Sequence, residues 1–345
     1  MGLEKNTMKA VGLHKYLPIE DPESLLDVEI GKPVAIGRDL LVRVKAIGVN
    51  PVDCKVRAPK DKIEGVPKIL GWDVSGIVEE VGKDVSLFAI GDEVYYAGTM
   101  TRPGGNSEFH LVDEQLVGNK PASLNFAQAA ALPLTTITAY EGLFTRLGIS
   151  RNTAENKNKI ILIIGGAGGV GSIAIQLAKL AGLKVVATAS RPESINWVRE
   201  LGADEVVNHF EDITGQLKQA GISEVQYIFN VNNTSLYWKT MSEVIAPQGK
   251  ICLIVEADKD LDFNLFKNKS ATIVWELMFT RSTFQTTDMV AQHDLLNEVS
   301  DLIDDGKIKT TVSEILSPIN AEKLRKAHAK LESGSAIGKI VLENF

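Results

Sequence analysis

At 345 residues the chain is long enough for about two domains, on a prior of roughly 150 residues each. Hydrophobic residues at 44% and charged residues at 23% exclude wholesale disorder, and a net charge of −7 disfavours non-specific nucleic-acid binding, so any anionic ligand must be held by a local positive feature. Two cysteines, Cys54 and Cys252, exclude a disulfide framework and a four-thiolate metal site, and a reducing cytoplasm is the expected setting.

In chain order, Met1–Lys9 has no apolar stretch long enough for a signal peptide. Residues 8 to about 128 read as β-rich. Leu40–Val49, Ser75–Val81, Glu93–Tyr96 and Phe109–Val112 are short apolar runs, punctuated by Gly48, Gly76, Gly82 and Gly91. From about 129 strands and helices alternate. Strands are expected at Ile160–Ile164, Lys184–Thr188, Glu205–Asn208, Tyr227–Val231 and Lys250–Val255, and helices at Val170–Ala181 and Glu193–Leu201. The uncharged stretch Ile160–Ala178 contains five glycines and splits into a strand-like and a helix-like run, so it fits a buried strand–turn–helix and not a bilayer span. Short links between alternating elements predict a parallel, doubly wound sheet. A long helix is expected over Asp288–Asp304, then strands at Thr311–Ile315 and Lys339–Leu342 around a helix at Ala321–Leu331. The last strand is expected to rejoin the β-rich domain and make it discontinuous.

The strongest chemical signal follows the strand Ile161–Ile164: Gly165-Gly166-Ala167-Gly168-Gly169-Val170-Gly171. Gly166, Gly168 and Gly171 satisfy G-x-G-x-x-G, where one glycine makes a tight turn, one admits a pyrophosphate to the backbone and one lets helix and strand pack closely. The helix starting near Val170, just after Gly169, turns its free N–H groups toward the phosphates. The next strand ends in Ser190-Arg191, where an NAD site would usually carry an acid for the ribose hydroxyls. Arginine offers a permanently charged fork suited to a 2′-phosphate, so NADPH is the expected cofactor.

These features together resemble the medium-chain dehydrogenase/reductase superfamily over nearly the whole chain. Gly71–Gly76, Val81-Gly82 with Gly91–Val94, Ala130–Pro133, Leu201–Asp204 and Gly338-Lys339 carry the likeness, while Leu70–Asp73 and Met278–Arg281 narrow it to the zinc-type alcohol dehydrogenase-like branch near the quinone oxidoreductases. The resemblance implies an α/β fold: a Rossmann doubly wound parallel sheet over 129–280 and a β-rich GroES-like catalytic domain over 1–128 and 281–345. It also implies that Thr138 faces the nicotinamide, that Asn230 and Ile254 end strands beside the cofactor, and that Lys339 contacts it. The zinc members hold catalytic zinc with Cys, His and Cys. Here those positions are Asn50, Trp72 and the neighbourhood of Leu134, none of them a good zinc ligand. No catalytic metal is expected, and no lobe of clustered cysteines exists for a structural one.

Without zinc, acceptor chemistry should shift. An alkoxide's conjugate acid resembles water, with a pKa of about 15.7. Quinone or enone reduction gives a phenolate or enolate, nearer a phenol's pKa of about 10. The gap is worth about 8 kcal/mol, against about 3–4 kcal/mol for one hydrogen-bond donor. A quinone, enone or similar conjugated carbonyl is therefore the expected substrate. Asn50 is expected to bond its oxygen or the nicotinamide ribose, Asp53 to order that shell, and Trp72 and Tyr96 to wall the cleft. Asn50-Pro51 also suits an ordinary turn, the aromatics suit a core, and Thr138 suits a helix start. Two other readings stay open: a metal-dependent alcohol dehydrogenase with unrecognised ligands, and a non-catalytic NADPH-binding sensor. The apolar segment Ser270–Phe279 is where relatives pair across a two-fold axis, which implies a homodimer.

Overall fold

The computed structural model describes residues 7–345; residues 1–6, most of the segment read above for a targeting signal, lie outside the described residues. The chain divides into two compact units, the residues up to Leu134 with Phe279–Phe345, and Thr135–Met278. The expected divisions at 128/129 and 280/281 lie a few residues away.

The first unit opens with strands β1 (Thr7–Tyr16), β2 (Leu26–Gly31) and β3 (Asp39–Val49), the short helix α1 (Pro51–Arg57), and strands β4 (Lys60–Ile69), β5 (Asp73–Val81), β6 (Glu93–Tyr96), β7 (Phe109–Asp113) and β8 (Val117–Asn119). Helix α2 (Phe126–Ala130) follows, and α3 (Pro133–Tyr140) leads into the second unit. The second unit runs β9 (Ile160–Ile164), α4 (Gly169–Leu180), β10 (Lys184–Thr188), α5 (Pro192–Glu200), β11 (Glu205–Val207), α6 (Ile213–Gln219), β12 (Val225–Asn230), α7 (Thr234–Val244), β13 (Ile245–Leu253) and β14 (Thr272–Trp275). The chain then completes the first unit with α8 (Thr280–Phe284), α9 (Ala291–Asp304), β15 (Val312–Leu316), α10 (Ala321–Glu332) and β16 (Lys339–Glu343).

In the first unit, β2-β1-β4 make a small antiparallel sheet, and β15-β16-β3-β5-β6-β8 make a larger mixed sheet, parallel only between β15 and β16, with β7 added on β3. The central strand β3 is buried along most of its length, because Leu40, Leu41, Val42, Ala46 and Ile47 fill the core on both faces. Gly48 near its end is a packing requirement. A Cβ there would stand 2.4 Å from the Ala130 carbonyl oxygen and 3.0 Å from the Asp73 Cβ. The return of the C-terminus is as expected: β16 pairs antiparallel with β3, Val341 opposite Gly48.

The second unit's sheet has the order β11-β10-β9-β12-β13-β14, and every pairing is parallel. Strand order reverses at β9, whose neighbours are β10 and β12, so the crevice at its carboxyl end is where such a sheet binds a ligand. Ile161, Leu162, Ile163 and Ile164 are completely buried, each burial worth about 1.5–3 kcal/mol. Leu162 and Ile164 share a core with Val186, Ile228, Trp238 and Leu253.

Two expectations are corrected. The helix expected from Asp288 starts at Ala291, because the Asp288 carboxylate is taken by Arg281 (Nε donating, 3.0 Å) and Thr286 (Oγ1 donating, 2.6 Å) in a turn after α8. Gln285 ends α8 at φ 47°, in the left-handed region. Ile254 does not end a strand; β13 stops at Leu253, whose carbonyl accepts the Glu276 amide at 2.9 Å. Among the described residues no helix is long and apolar enough to cross a membrane.

Candidate active site

In the second unit the glycine turn joins β9 to α4. Gly165 turns the chain at φ +93°, a conformation costly for any residue with a Cβ. A Cβ on Gly166 would sit 2.9 Å from Ala187 Cβ, and one on Gly171 would sit 2.4 Å from the Gly165 carbonyl oxygen. Those two glycines therefore serve strand–helix packing. Gly168 differs, since its added Cβ would meet only Gly165 O, at 3.6 Å. The protein's own packing does not require glycine there, so the position stays open to close approach. Gly168 is also the cap residue of α4, and Ala167–Val170 are partly open while the helix beyond is buried. Ser172 secures the turn: its Oγ donates to Gly168 O at 2.7 Å and accepts Trp197 Nε1 at 2.8 Å.

The end of β10 is anchored to this turn, because the amides of Gly165 and Gly166 donate to Thr188 Oγ1 (2.9 Å) and O (3.1 Å). Ser190 is half-buried and Arg191 exposed. Arg191 caps α5, its amide donating to Ser194 Oγ at 3.1 Å. Asn230 ends β12 opposite Ile164. Its side chain is fully buried, and its Nδ2 has no hydrogen-bond partner, an orphaned donor at the carboxyl edge beside the glycine turn. Thr138 lies in α3, buried. An open glycine, a free helix start and an orphaned amide fit a dinucleotide. The candidate holding residues are Gly166, Gly168, Gly169, Val170, Gly171, Ser190, Arg191 and Asn230.

In the first unit, Asn50, Asp53, Asp73 and Lys339 form one buried network. Asp53 is fixed in the first turn of α1, accepting the Asn50 amide at 2.7 Å. The Asn50 side chain donates from Nδ2 to Asp73 Oδ2 at 2.8 Å and accepts Lys339 Nζ on Oδ1. Asp73 also accepts the Leu134 amide at 2.7 Å and Lys339 Nζ at 2.7 Å. Burial lifts Asp73 above the usual carboxylate range, and Lys339 pulls it back. Burial pushes Asp53 further, up to about 7, against the Asn50 amide and Lys339. Its Oδ1 has no hydrogen-bond partner.

Lys339 corrects an expectation. Its ammonium carries three protons, and they go to Asp73 Oδ2, Asn50 Oδ1 and Val49 O, the last at 2.9 Å. At 3% exposure it has no donor left for a cofactor phosphate. Tyr96 is also corrected, from cleft wall to core: it is fully buried, its hydroxyl bonds His110 Nδ1 at 3.0 Å, and the two rings stack at 5.6 Å. Trp72 is buried as well. Its indole donates to Thr99 O at 3.0 Å and meets Phe279 edge-on at 6.0 Å. Asp73 is a further member of this network, and in the sequence only its place directly after Trp72 points to it.

These groups do not suit zinc. Asn50 is committed to Lys339 and Asp73, Trp72 offers no lone pair, and an ammonium stands against the nearest carboxylate. Among the described residues no group of three or more His, Cys, Asp or Glu could hold a metal ion. Cys54 is buried, and burial raises its thiol beyond the reactive range.

Residues 37–131 match the alcohol dehydrogenase GroES-like domain, and residues 201–342 match the family described as zinc-binding dehydrogenase. A zinc-type alcohol dehydrogenase-like protein of Staphylococcus aureus (strain MSSA476) is 44% identical, over 97% of this chain and 99% of that protein. This chain belongs to the medium-chain dehydrogenase/reductase superfamily, in its zinc-type alcohol dehydrogenase-like branch. Members of this superfamily are oxidoreductases whose fold binds a nicotinamide cofactor. The crystal structure of a candidate zinc-dependent alcohol dehydrogenase protein from Rhizobium etli CFN 42 superposes with a TM-score of 0.93, at 49% identity and 99% coverage of both chains. The Escherichia coli quinone oxidoreductase, crystallised with NADPH, has a TM-score of 0.79 at 26% identity, covering 97% of this chain and 99% of that one. The GroES-like domain plus parallel Rossmann sheet of the superfamily is the fold described above.

Proposed function

We propose that this member is an NADPH-dependent reductase of quinones, enones or similar conjugated carbonyls, and that it works without catalytic zinc. The observation that carries this reading is the Lys339 ammonium held against Asp73 and Asn50, the latter at a sequence position where the zinc members carry a ligand. An internal cation already occupies the Asn50 side-chain oxygen and neutralises Asp73 beside it. The E. coli quinone oxidoreductase with NADPH supports the same chemistry.

When bound, NADPH supplies a hydride from its nicotinamide ring. The backbone of Gly166–Gly171 would hold the diphosphate, and Ser190 with Arg191 the 2′-phosphate. Thr138, Asn230 and the residues around Ile254 complete the cofactor's surroundings in this reading. Asn50, oriented by Lys339 and Asp73, keeps one N–H to give to the substrate oxygen. One such donor, at about 3–4 kcal/mol, falls well short of the roughly 8 kcal/mol that separates an alkoxide from a phenolate. The site therefore favours acceptors whose product anion is already stabilised by conjugation. Solvent protonates the product in this reading.

Steady oxidation of NADPH with phenanthrenequinone, faster than with NADH, is the expected result in a spectrophotometric assay. Tight NADPH binding with no turnover across a panel of quinones and enones would replace the enzyme by a sensor.

A further inference from the structure

Two basic side chains leave the carboxyl edge of the second unit's sheet side by side. β10 and β11 are paired as far as Thr188 and Val207, and the Ala189 amide donates to Val207 O at 3.1 Å. Two residues beyond that bond stand Arg191 on one chain segment and His209 on the other. Arg191 is exposed and His209 half-buried, and the imidazole Nδ1 is buried with no hydrogen-bond partner. Phe210, 81% exposed, packs edge-on against the His209 ring at 4.5 Å and offers an open aromatic surface next to both. The same edge carries the glycine turn, through the bonds from Gly165 and Gly166 to Thr188.

A guanidinium beside an imidazole with an uncommitted nitrogen is suited to a phosphate dianion. A neutral sugar hydroxyl needs neither charge. We propose that His209 takes up a proton when a 2′-phosphate seats against Arg191, so that retention of NADPH, but not of NADH, strengthens as the pH falls through neutrality. This rests on the NADPH reading above and adds a residue and a pH response to it.

The charged group that acts on His209 is Arg191 on the β10–α5 segment, and Glu211 and Asp212 follow His209 on its own loop. Glu211 is occupied by the Asn208 side chain at 2.8 Å. Burial first, and then Arg191, hold the imidazole below its ordinary range, so it is neutral in the empty protein at pH 7. A dianion reverses the sign of the local field. The pKa is then higher in the complex than in the free protein, the complex binds the extra proton, and affinity rises as pH falls. The phosphate's own second ionisation, near a pKa of about 6, acts in the opposite direction by weakening its pairing with Arg191.

The test compares full-length wild type with His209→Gln, which keeps bulk and polarity and cannot titrate. Dissociation constants for NADPH and NADH are measured at pH 6.5 and 8.5, and proton uptake is read by calorimetry in buffers of different ionisation enthalpy. Wild type should bind NADPH about two- to fivefold more tightly at pH 6.5 than at pH 8.5, because a one-unit pKa rise from below the ordinary range is only partly expressed at pH 6.5, with net proton uptake. His209→Gln should show a flat or reversed profile without that uptake. NADH should bind both proteins equally at both pH values, which also certifies that the variant is folded. Identical NADPH profiles and proton counts for the two proteins would overturn the role of His209 while leaving the cofactor reading intact. A wild type that prefers NADPH at neither pH would overturn the cofactor reading and this proposal with it.

Discussion

Lys339 and Arg191 are two cations with opposite expected roles, and substitution separates them. Lys339→Met leaves Asp73 buried without its counter-charge, and breaking a buried pair costs about 3–5 kcal/mol. The expected outcome is a large drop in the urea midpoint, with cofactor affinity per folded molecule unchanged. A normal midpoint with weakened NADPH binding would return Lys339 to the cofactor. Arg191→Ala should leave stability alone, since its guanidinium is exposed, and should weaken NADPH by about ten- to a hundredfold, the value of about 1.5–3 kcal/mol for a charged hydrogen bond. Equal loss for NADH would undo the assignment. At this scale the sequence is uneven as a guide. The place of Arg191 just past β10 is legible because the apolar run before it reads as a strand. Lys339 and Tyr96 are not, because their partners, Asp73 and His110, are set by strand pairings that no local pattern announces. His209 carries no signal in the sequence, because its nearness to Arg191 appears only once β10 and β11 are laid side by side.

The glycine turn is the element on which the cofactor reading depends, and its glycines are predicted to respond differently. Gly171→Ala drives a Cβ to 2.4 Å from the Gly165 carbonyl and 2.7 Å from the Gly166 backbone, which cannot yield cheaply. It should destabilise the fold by about 1–3 kcal/mol. Gly168→Ala has room and an ordinary φ of −74°, so thermal unfolding should match wild type while NADPH and NADH both bind less tightly. Loss of stability in both variants would make the motif a packing device only. Elements like β9 were readable because an apolar run of five residues before a glycine cluster permits little else. β1, β2 and β4 were not singled out, and β4 shows why: Lys60–Ile69 mixes charges, Gly65 and Pro67, as an edge strand does, with Ile63 and Val66 exposed. The turn that delays α9 to Ala291 depends on the Arg281–Asp288 pair, which looks like two ordinary helix residues in the sequence.

Over the whole molecule, the buried acids give stability a pH dependence that can be assigned. Asp53 has a folded pKa of about 7 against an unfolded value of about 3.9. Its contribution is therefore fully present below about pH 4 and lost as pH rises through about 7. Asp53→Asn can still accept the Asn50 amide and cannot ionise, so the stability of wild type relative to this variant should fall between pH 5 and pH 8 in urea titrations. A constant difference would mean that Asp53 is ionised throughout. The edge strand β14 ends in Trp275, with Leu277 beyond it, both more than half exposed. We expect light scattering to give twice the 37.5 kDa chain mass through pairing of this segment between copies, and a monomer would remove that expectation.

The claim that matters most is hydride transfer without a metal. Purified protein, dialysed against a strong chelator and assayed for bound metals in the same sample, should oxidise NADPH with phenanthrenequinone at an undiminished rate and contain no stoichiometric zinc. One zinc per chain, removed by the chelator together with activity and restored with it, would contradict the account.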